Sequence, residues 1–253
     1  MITENVAAIV TGGASGLGGA TAALLAELGA KVSVFDVNAE LGEAHAAEIG
    51  GKFFKVDVTS EAEVDAALDG AEFAHGIARI LVNCAGIGPA IRTVGREFAP
   101  HPIDAFRKVI EINLIGSFLT ASRFAARAAR EEPVGEERGV IVNTASVAAF
   151  DGQIGQAAYA ASKGGLVGLT LPLARDLAQH AIRVATVAPG IFLTPLLATL
   201  PDAARDSLGK QVPFPSRLGD PAEFARMVAA IIDNPMLNGE TIRLDGAIRM
   251  GPR

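Results

Sequence analysis

The chain has 253 residues, half of them hydrophobic and a fifth charged, which excludes a disordered protein and allows a large core. Its single cysteine excludes an intrachain disulfide, and a net charge of −6 disfavours nucleic acid or an anionic membrane surface as the main partner. The first residues include an acid rather than a basic leader, so we expect a soluble, cytoplasmic protein.

Short β-branched runs alternate with longer segments of helical period along the chain. The predicted strands cover residues 6–11, 31–36, 52–56, 79–84, 139–145, 182–188 and 240–244, and the predicted helices cover residues 17–29, 39–49, 60–77, 103–130, 157–180 and 220–233. Several strands are apolar without alternation, as a sheet covered on both faces requires. The pattern predicts one α/β domain over residues 1–253, a Rossmann-type doubly wound fold with a seven-stranded parallel sheet and helices on both faces.

Three segments interrupt this alternation, at residues 87–102, 131–138 and 189–215. Loops longer than about 12–15 residues are usually functional lids or disordered segments. The last segment is apolar between its prolines, so we predict that residues 189–215 form a lid over an apolar ligand.

A glycine-rich turn, T-G-G-A-S-G-L-G at residues 11–18, lies between the first strand and the first helix. The glycines Gly12, Gly16 and Gly18 allow a tight turn and let the backbone approach a pyrophosphate at the helix N-terminus. Asp36 closes the second strand, where a carboxylate can accept both hydroxyls of an adenosine ribose. A solvated turn is the alternative for the glycines alone. The combination predicts a dinucleotide site, and we expect NAD because Asp36 would repel a 2′-phosphate.

The glycine spacing is G-x-x-x-G-x-G, and with the motifs that follow it resembles the short-chain dehydrogenase/reductase family. Those motifs are D-V after the third strand, N-C-A-G after the fourth, an Asn-Ser-Tyr-Lys set, and P-G with a threonine after the sixth. The resemblance implies that a nicotinamide cofactor is held by Gly12, Ser15, Gly16, Leu17, Gly18, Asp36, Asp57, Val58, Cys84, Ala85, Gly86, Tyr159, Lys163, Pro189, Gly190, Phe192 and Thr194.

Tyr159 and Lys163 stand at i and i+4, so they share one helix face. A phenol with a pKa of about 10 is a poor acid–base group near neutral pH, and we expect the ammonium and an oxidised nicotinamide to lower that pKa. The resemblance implies that Tyr159 is the catalytic acid–base, that Ser146 holds the substrate oxygen, and that Asn113 holds a water for proton relay through Lys163. Taken singly, these residues could be a packing tyrosine, a helix-capping serine and a buried amide bonded to backbone.

Two other residue types favour structural roles. Cys84 is expected to be a small buried side chain rather than a nucleophile, because its motif position needs only a small residue. The four histidines are scattered without ligand spacing, so we predict no catalytic metal.

From Gly139 onward the chain resembles more closely one branch of the family, through segments such as N-T-A-S-V-A-A-F-D-G-Q-I-G-Q-A-A-Y and Q-V-P-F-P-S-R-L-G-D-P-A-E-F. That branch implies reversible NAD-dependent oxidation of short or branched 3-hydroxyacyl-CoA to 3-oxoacyl-CoA, with some turnover of steroids. A 3-oxoacyl-carrier-protein reductase, a hydroxysteroid dehydrogenase and, less well supported, a non-enzymatic nucleotide-binding scaffold are the alternatives. The resemblance also implies a homotetramer.

The substrate site is predicted from the lid and the loop before Tyr159. In addition to Ser146 and Tyr159, we expect Gln153 to bond the thioester carbonyl, with a surface glutamine as an equal alternative. The acyl pocket under the lid is predicted to be walled by Leu196, Leu197, Leu200 and Phe214.

Overall fold

Seven parallel strands form one sheet in the computed structural model, which describes residues 4–199 and 201–252. Their order is β3-β2-β1-β4-β5-β6-β7, with every neighbouring pair parallel. The strands are β1 (Ala7–Thr11), β2 (Lys31–Asp36), β3 (Lys52–Lys55), β4 (Ile80–Asn83), β5 (Gly139–Thr144), β6 (Ile182–Pro189) and β7 (Thr241–Leu244). The predicted fold class is confirmed.

Helices cover both faces of this sheet. They are α1 (Gly16–Glu27), α2 (Ala39–Glu48), α3 (Glu61–His75), α4 (Ile103–Ile110), α5 (Gly116–Ala128), α6 (Ala157–Ala178), α7 (Pro195–Ala198), α8 (Asp202–Gly209) and α9 (Pro221–Asp233). Helices α1, α2 and α9 pack on one face, and α3, α5 and α6 pack on the other. Because both faces are buried, the central strands are apolar at successive positions.

The predicted helix at 103–130 is interrupted. A π-helical turn, Glu111–Ile115, separates α4 from α5 and widens the helix at that point. The whole helix, Ile103–Ala128, is long and apolar enough to cross a membrane by composition alone, a property that core helices share. Here α5 lies in the core, with Phe124 and Ala121 buried against the sheet. The predicted lid is also partly helical, since it contains α7 and α8.

A buried arginine anchors the charged segment 131–138 at the edge of the sheet opposite the glycine-rich turn. Arg183, 6% exposed, donates through Nε to Glu137 at 2.8 Å. Its Nη atoms donate to the carbonyl oxygens of Ile231, Ile232 and Leu237 at 2.7–3.0 Å. The guanidinium therefore closes the end of α9 while it neutralises the buried carboxylate.

A group of four polar side chains, the Asn83 cluster, is buried where β1, β4, β5 and α5 meet. Asn83 donates through Nδ2 to the Asn143 side chain at 3.0 Å and to the Ser117 carbonyl at 3.2 Å. Its Oδ1 accepts from the Thr120 hydroxyl at 2.8 Å and from the Thr11 hydroxyl at 3.4 Å. Each polar atom of Asn83 is therefore satisfied inside the core.

Candidate active site

The glycine-rich turn lies against the end of β4 at a distance that excludes side chains. Gly12 has a φ of +64° and donates to the Phe35 carbonyl at 2.8 Å. A Cβ on Gly12 would lie 2.7 Å from the Ala85 nitrogen, and a Cβ on Gly18 would lie 2.2 Å from the Gly12 oxygen. Both glycines are required by close backbone packing, and the cradle that they form suits a pyrophosphate.

Helix α1 begins at this turn without a side-chain cap. Ser15 is its N-cap residue and makes no side-chain cap bond in the described structure. The first turn of α1 therefore offers N–H groups and a positive dipole end to an anion, which fits the pyrophosphate of a dinucleotide. Pro195 Cδ lies 3.3 Å from the position of a Gly16 Cβ, with Thr194 beside it, so the start of the lid adjoins the turn. Leu17 packs against the core.

Asp36 places a carboxylate next to the turn. It accepts from the backbone N–H of Ala14 at 3.1 Å through Oδ2 and from that of Asn38 at 3.0 Å through Oδ1. These two bonds fix the carboxylate at the end of β2. It is therefore held where the sequence predicts contact with an adenosine ribose.

Asp57 and Val58 follow β3 on the adenine side of the predicted site. The Asp57 carboxylate is exposed and accepts through Oδ1 from the Thr59 N–H at 2.9 Å and hydroxyl at 2.7 Å. Val58 is buried against α5, where a Cβ on Gly116 would lie 2.7 Å from its Cγ2. Asp57 thus faces solvent, whereas Val58 packs in the core at this edge of the sheet.

Cys84 and Ala85 are fixed to β1 by one hydroxyl. Thr11 Oγ1 accepts from both of their backbone N–H groups at 3.2 Å. Cys84 Sγ lies 3.2 Å from Thr144 Oγ1, and burial raises the pKa of the thiol to about 11. The side chain is therefore a neutral thiol at physiological pH, as expected for a packing residue.

Asn113 lies in the π-helical turn and is fully buried. Its Oδ1 accepts from the Ile87 N–H at 2.8 Å, and its Nδ2 donates to the Ile87 carbonyl at 2.8 Å and to Ser162 Oγ at 3.0 Å. A Cβ on Gly86 would lie 3.1 Å from Oδ1. The amide joins the helix to the loop after β4 and to α6, and these bonds use both of its hydrogens, so its role in holding a water stays a prediction.

Ser146, Tyr159 and Lys163 meet at the carboxyl end of β5. Ser146 Oγ accepts from the Ala148 N–H at 3.1 Å, and the interaction of its hydroxyl with the Tyr159 phenol lowers the pKa of that phenol. Lys163 Nζ donates to the Thr144 carbonyl at 2.7 Å and lies 5.7 Å from the centroid of the Tyr159 ring. The structure therefore brings together the predicted acid–base, oxygen-binding and ammonium groups.

Burial controls the ionisation of this pair. Burial raises the pKa of the Tyr159 phenol, and the interaction with the Ser146 hydroxyl only partly offsets that increase. It also lowers the pKa of Lys163 to about 8. The expected lowering of the Tyr159 pKa is therefore not produced by the protein alone, because desolvation of the phenolate dominates.

The segment after β6 is held close to β7. Gly190 follows Pro189, the last residue of β6, and donates to the Leu244 carbonyl at 2.9 Å. Phe192 is buried against Gly219, where a Cβ would lie 2.7 Å from the ring. These contacts place the first residues of the lid at the same sheet edge as the tyrosine and the glycine-rich turn.

Gln153 is bonded within the protein. Its Nε2 donates to the Gly251 carbonyl at 3.0 Å, and its N–H donates to Gln156 Oε1 at 2.9 Å. The amide is thus engaged with the C-terminal segment rather than directed to open solvent. Its contact with a thioester stays a prediction, for which the second Nε2 hydrogen is the available donor.

The predicted wall residues of the lid differ in exposure where the structure describes them. Leu197 in α7 is half-buried, whereas Phe214 is 83% exposed. Leu200 and the side chain of Leu196 lie outside the described residues. A wall at Phe214 would require the lid to move over the ligand.

Two partners of the site were missed by the sequence patterns. The Thr144 carbonyl accepts a hydrogen bond from Lys163 Nζ, and Ser162 Oγ accepts one from Asn113 Nδ2. Ser162 adjoins Lys163 in the sequence, but a serine inside a helix gives no sign of a distant partner. For metals, no group of three or more His, Cys, Asp or Glu side chains suited to an ion occurs among residues 4–199 and 201–252.

Comparison with known proteins gives a consistent result. The family model described as short chain dehydrogenase matches residues 6–205. A Rattus norvegicus protein named 3-hydroxyacyl-CoA dehydrogenase type-2 is 55% identical over 98% of this chain and 97% of its own. The crystal structure of 3-hydroxyacyl-CoA dehydrogenase type-2 from Mycobacterium avium superposes with a TM-score of 0.95 at 43% identity, covering 98% of both chains. A Homo sapiens 3-oxoacyl-[acyl-carrier-protein] reductase is 33% identical over 95% of this chain and 97% of its own.

Proposed function

Because the chain belongs to the short-chain dehydrogenase family, we propose that it catalyses the reversible NAD-dependent oxidation of short or branched 3-hydroxyacyl-CoA to 3-oxoacyl-CoA. The predicted family and enzyme class are confirmed, and the chain is an oxidoreductase with a nicotinamide nucleotide cofactor. The proposal for the substrate rests on one contrast in sequence identity, which is 55% to a 3-hydroxyacyl-CoA dehydrogenase type-2 but 33% to a 3-oxoacyl-carrier-protein reductase.

The proposed mechanism uses the groups at the end of β5. NAD held by Gly12, Gly18 and Asp36 would supply the acceptor for the hydride that leaves the substrate C3. The Tyr159 phenolate takes the proton of the substrate 3-hydroxyl, and the Ser146 hydroxyl holds that oxygen. The Lys163 ammonium, fixed on the Thr144 carbonyl at 2.7 Å, favours the phenolate. In the reverse direction, the neutral phenol returns the proton to the oxygen.

The choice of NAD over NADP is proposed from Asp36. Its carboxylate, fixed by the Ala14 and Asn38 N–H groups, would repel a 2′-phosphate, and the neighbouring Val37 supplies no positive charge. Initial rates should be far higher with NAD than with NADP. Asp36→Ala should relax that preference toward NADP. Comparable wild-type rates with both cofactors would contradict the proposal.

The acyl part is proposed to enter under the lid, with the CoA nucleotide outside it near solvent. Apolar side chains such as Leu197 and Phe214 would then contact the acyl chain, while the nucleotide would contribute mainly to KM. Discrimination in an apolar pocket is about 1–3 kcal/mol per methylene. A range of short and branched acyl groups should therefore be accepted.

The substrate proposal is tested by kcat/KM for 3-hydroxybutyryl-CoA, its 2-methyl derivative, the matching carrier-protein thioester and a 17β-hydroxysteroid. We expect both CoA thioesters to be preferred. A clear preference for the carrier-protein thioester would assign a 3-oxoacyl-carrier-protein reductase. A clear preference for the steroid would assign a hydroxysteroid dehydrogenase.

We also propose a cytoplasmic homotetramer that needs neither nucleic acid nor a membrane as partner. The support is family resemblance together with Phe118 on α5 and Leu171 on α6, which are each 45% exposed. Burial of such side chains between subunits would be favourable. In sedimentation velocity, the wild type should sediment as a tetramer and the Phe118→Glu variant as a smaller species. A monomeric wild type would contradict this assembly.

A further inference from the structure

We propose that Arg243 and Asp151 are positioning residues, which hold the loop between Ser146 and Tyr159 in its catalytic shape. This inference rests on the proposed function, because that function gives Ser146 and Tyr159 their roles. Neither of the two charged residues is in the set that the sequence motifs identify. Asp151 lies in the loop itself, and Arg243 lies on β7, 92 residues later.

The loop, residues 147–156, connects the two reacting side chains but has little regular structure of its own. It contains one short 3₁₀ turn, Val147–Ala149, and a bond from the Asp151 N–H to the Val147 carbonyl at 2.8 Å. A loop of this kind depends on contacts from other elements for a single shape. Those contacts come from β7, from the residues that follow it, and from Ile91, whose N–H donates to the Gly155 carbonyl at 2.9 Å.

The Arg243 guanidinium joins the loop to the C-terminal segment. Its Nη2 donates to the Asp151 carboxylate at 2.5 Å and to the Ile248 carbonyl at 2.9 Å. Its Nε donates to Asp245 at 2.8 Å, and its Cζ lies 5.1 Å from the centroid of the Phe150 ring. A planar guanidinium suits this arrangement, because it donates in several fixed directions and stacks on an aromatic face.

The C-terminal segment adds two further bonds to the same loop. The Gly251 carbonyl accepts from Gln153 Nε2 at 3.0 Å, and the Pro252 carbonyl accepts from the Ile154 N–H at 3.0 Å. The loop is therefore held at three successive places, at Asp151, Gln153 and Ile154. We call this set of contacts the C-terminal clamp.

The ion pair is better placed to fix geometry than an ordinary surface pair. The side chains of Arg243 and Asp151 are 21% and 17% exposed. The hydrogen bond from Arg243 lowers the pKa of Asp151, which shows that the pairing stabilises the ionised carboxylate. Partial burial limits the solvent screening that makes exposed pairs weak.

Loss of the clamp should affect the reaction because Ser146 and Tyr159 flank the loop. The two hydroxyls must both reach one substrate oxygen, and a displacement of about 1 Å can cost on the order of 100-fold in rate. The nucleotide site at Gly12 and Asp36 belongs to other elements, so NAD affinity should be spared. This separation distinguishes positioning from a general loss of structure.

The experiment compares Asp151→Asn, Asp151→Glu and Asp104→Asn with the wild type, with 3-hydroxybutyryl-CoA as substrate. We expect Asp151→Asn to lower kcat by about 10-fold or more, with the Kd for NAD unchanged. Asp151→Glu keeps the carboxylate and should restore most of the rate. Asp104→Asn is the matched control, since Asp104 is an exposed carboxylate that pairs with Arg107 at 3.2 Å in α4 and should leave kcat near the wild-type value.

The proposal is overturned if Asp151→Asn retains wild-type kcat, if Asp104→Asn loses as much, or if Asp151→Glu restores nothing. If Asp151→Asn does not fold, Arg243→Lys, which keeps the charge but loses the fork, must show the same fall in kcat at constant NAD affinity. A wild type inactive on the CoA thioester would contradict the proposed function instead. The clamp is then tested with whichever alcohol of the panel is oxidised.

Discussion

The nucleotide and catalytic groups differ sharply from the lid in how they are held. Lys163 and Asn113, 4% and 0% exposed, are fixed by bonds of 2.7–3.0 Å to backbone and side chains at the sheet edge. Phe214 in the lid is 83% exposed. The difference teaches that the fold itself fixes the predicted catalytic groups at the sheet edge, whereas the predicted lid leaves an aromatic ring in solvent, so we expect substrate preference to depend on closure of that segment.

Loss of the Tyr159 hydroxyl should give the largest effect on the rigid side of this comparison. Tyr159→Phe should lower kcat by roughly 100-fold or more, because no other group at the site takes the proton. The ring itself packs against Gly88, so folding and NAD affinity should be retained. Steady-state kinetics and NAD titration measure the two quantities. Near-full turnover by this variant would contradict the mechanism.

The second prediction measures what it costs to bury the ammonium. Burial lowers the Lys163 pKa from 10.5 to about 8, and each pKa unit corresponds to about 1.4 kcal/mol, so the charged form costs on the order of 3 kcal/mol. The unfolded chain binds more protons between pH 8 and 10.5, so the wild-type free energy of unfolding should rise across that window relative to Lys163→Met. Urea unfolding at pH 7 and pH 10 gives the difference. A difference independent of pH would show that Lys163 is not desolvated.

The third prediction tests whether the glycine-rich turn is as tightly packed as the catalytic groups. Gly18→Ala would place a Cβ 2.2 Å from the Gly12 oxygen, so we expect weaker NAD binding and a loss of about 1–3 kcal/mol in stability. Gly19→Ala is the matched control in the same helix, because its nearest contact would be 3.6 Å. Equal effects of the two substitutions on NAD affinity and thermal unfolding would argue against close packing at Gly18.

The smallest effect is expected in the lid. Phe214→Ala should leave the stability unchanged within about 0.5 kcal/mol, because the ring is 83% exposed. If the lid closes over the acyl chain, kcat/KM should fall a few-fold for longer acyl groups and little for the shortest. A series of 3-hydroxyacyl-CoA thioesters measures this dependence. A uniform response to chain length would remove Phe214 from the acyl pocket.

The sheet could be predicted from the sequence because burial on both faces gives apolar runs that local patterns detect. The predicted strand at 139–145, for example, corresponds to Gly139–Thr144. The π-helical turn at Glu111–Ile115 could not be predicted in this way. It accompanies hydrogen bonds between Asn113 and Ile87, and Ile87 lies in a different part of the chain, after β4.

The candidate site divides in the same way. Motif spacing located Ser146, Tyr159 and Lys163, which the structure brings together. It did not locate the pair of Asp151 and Arg243, because two separate surface charges carry no local signal of a contact 92 residues apart. The raised pKa of Tyr159 also could not be predicted from the sequence, since it depends on burial of the phenol in the folded protein.

The Asn83 cluster has a consequence for how this sequence can change over time. The side chains of this cluster form hydrogen bonds with one another inside the core, as Asn83 does with Asn143, Thr120 and Thr11. Replacing any one of them therefore leaves a buried partner with one hydrogen bond fewer, at a cost of about 1–3 kcal/mol. A typical domain is stable by only about 5–15 kcal/mol, so a lineage that lost two of them in succession would pass through a poorly folded intermediate. These positions can therefore drift only as a group, and the junction between the two halves of the sheet should vary more slowly than the apolar core around it.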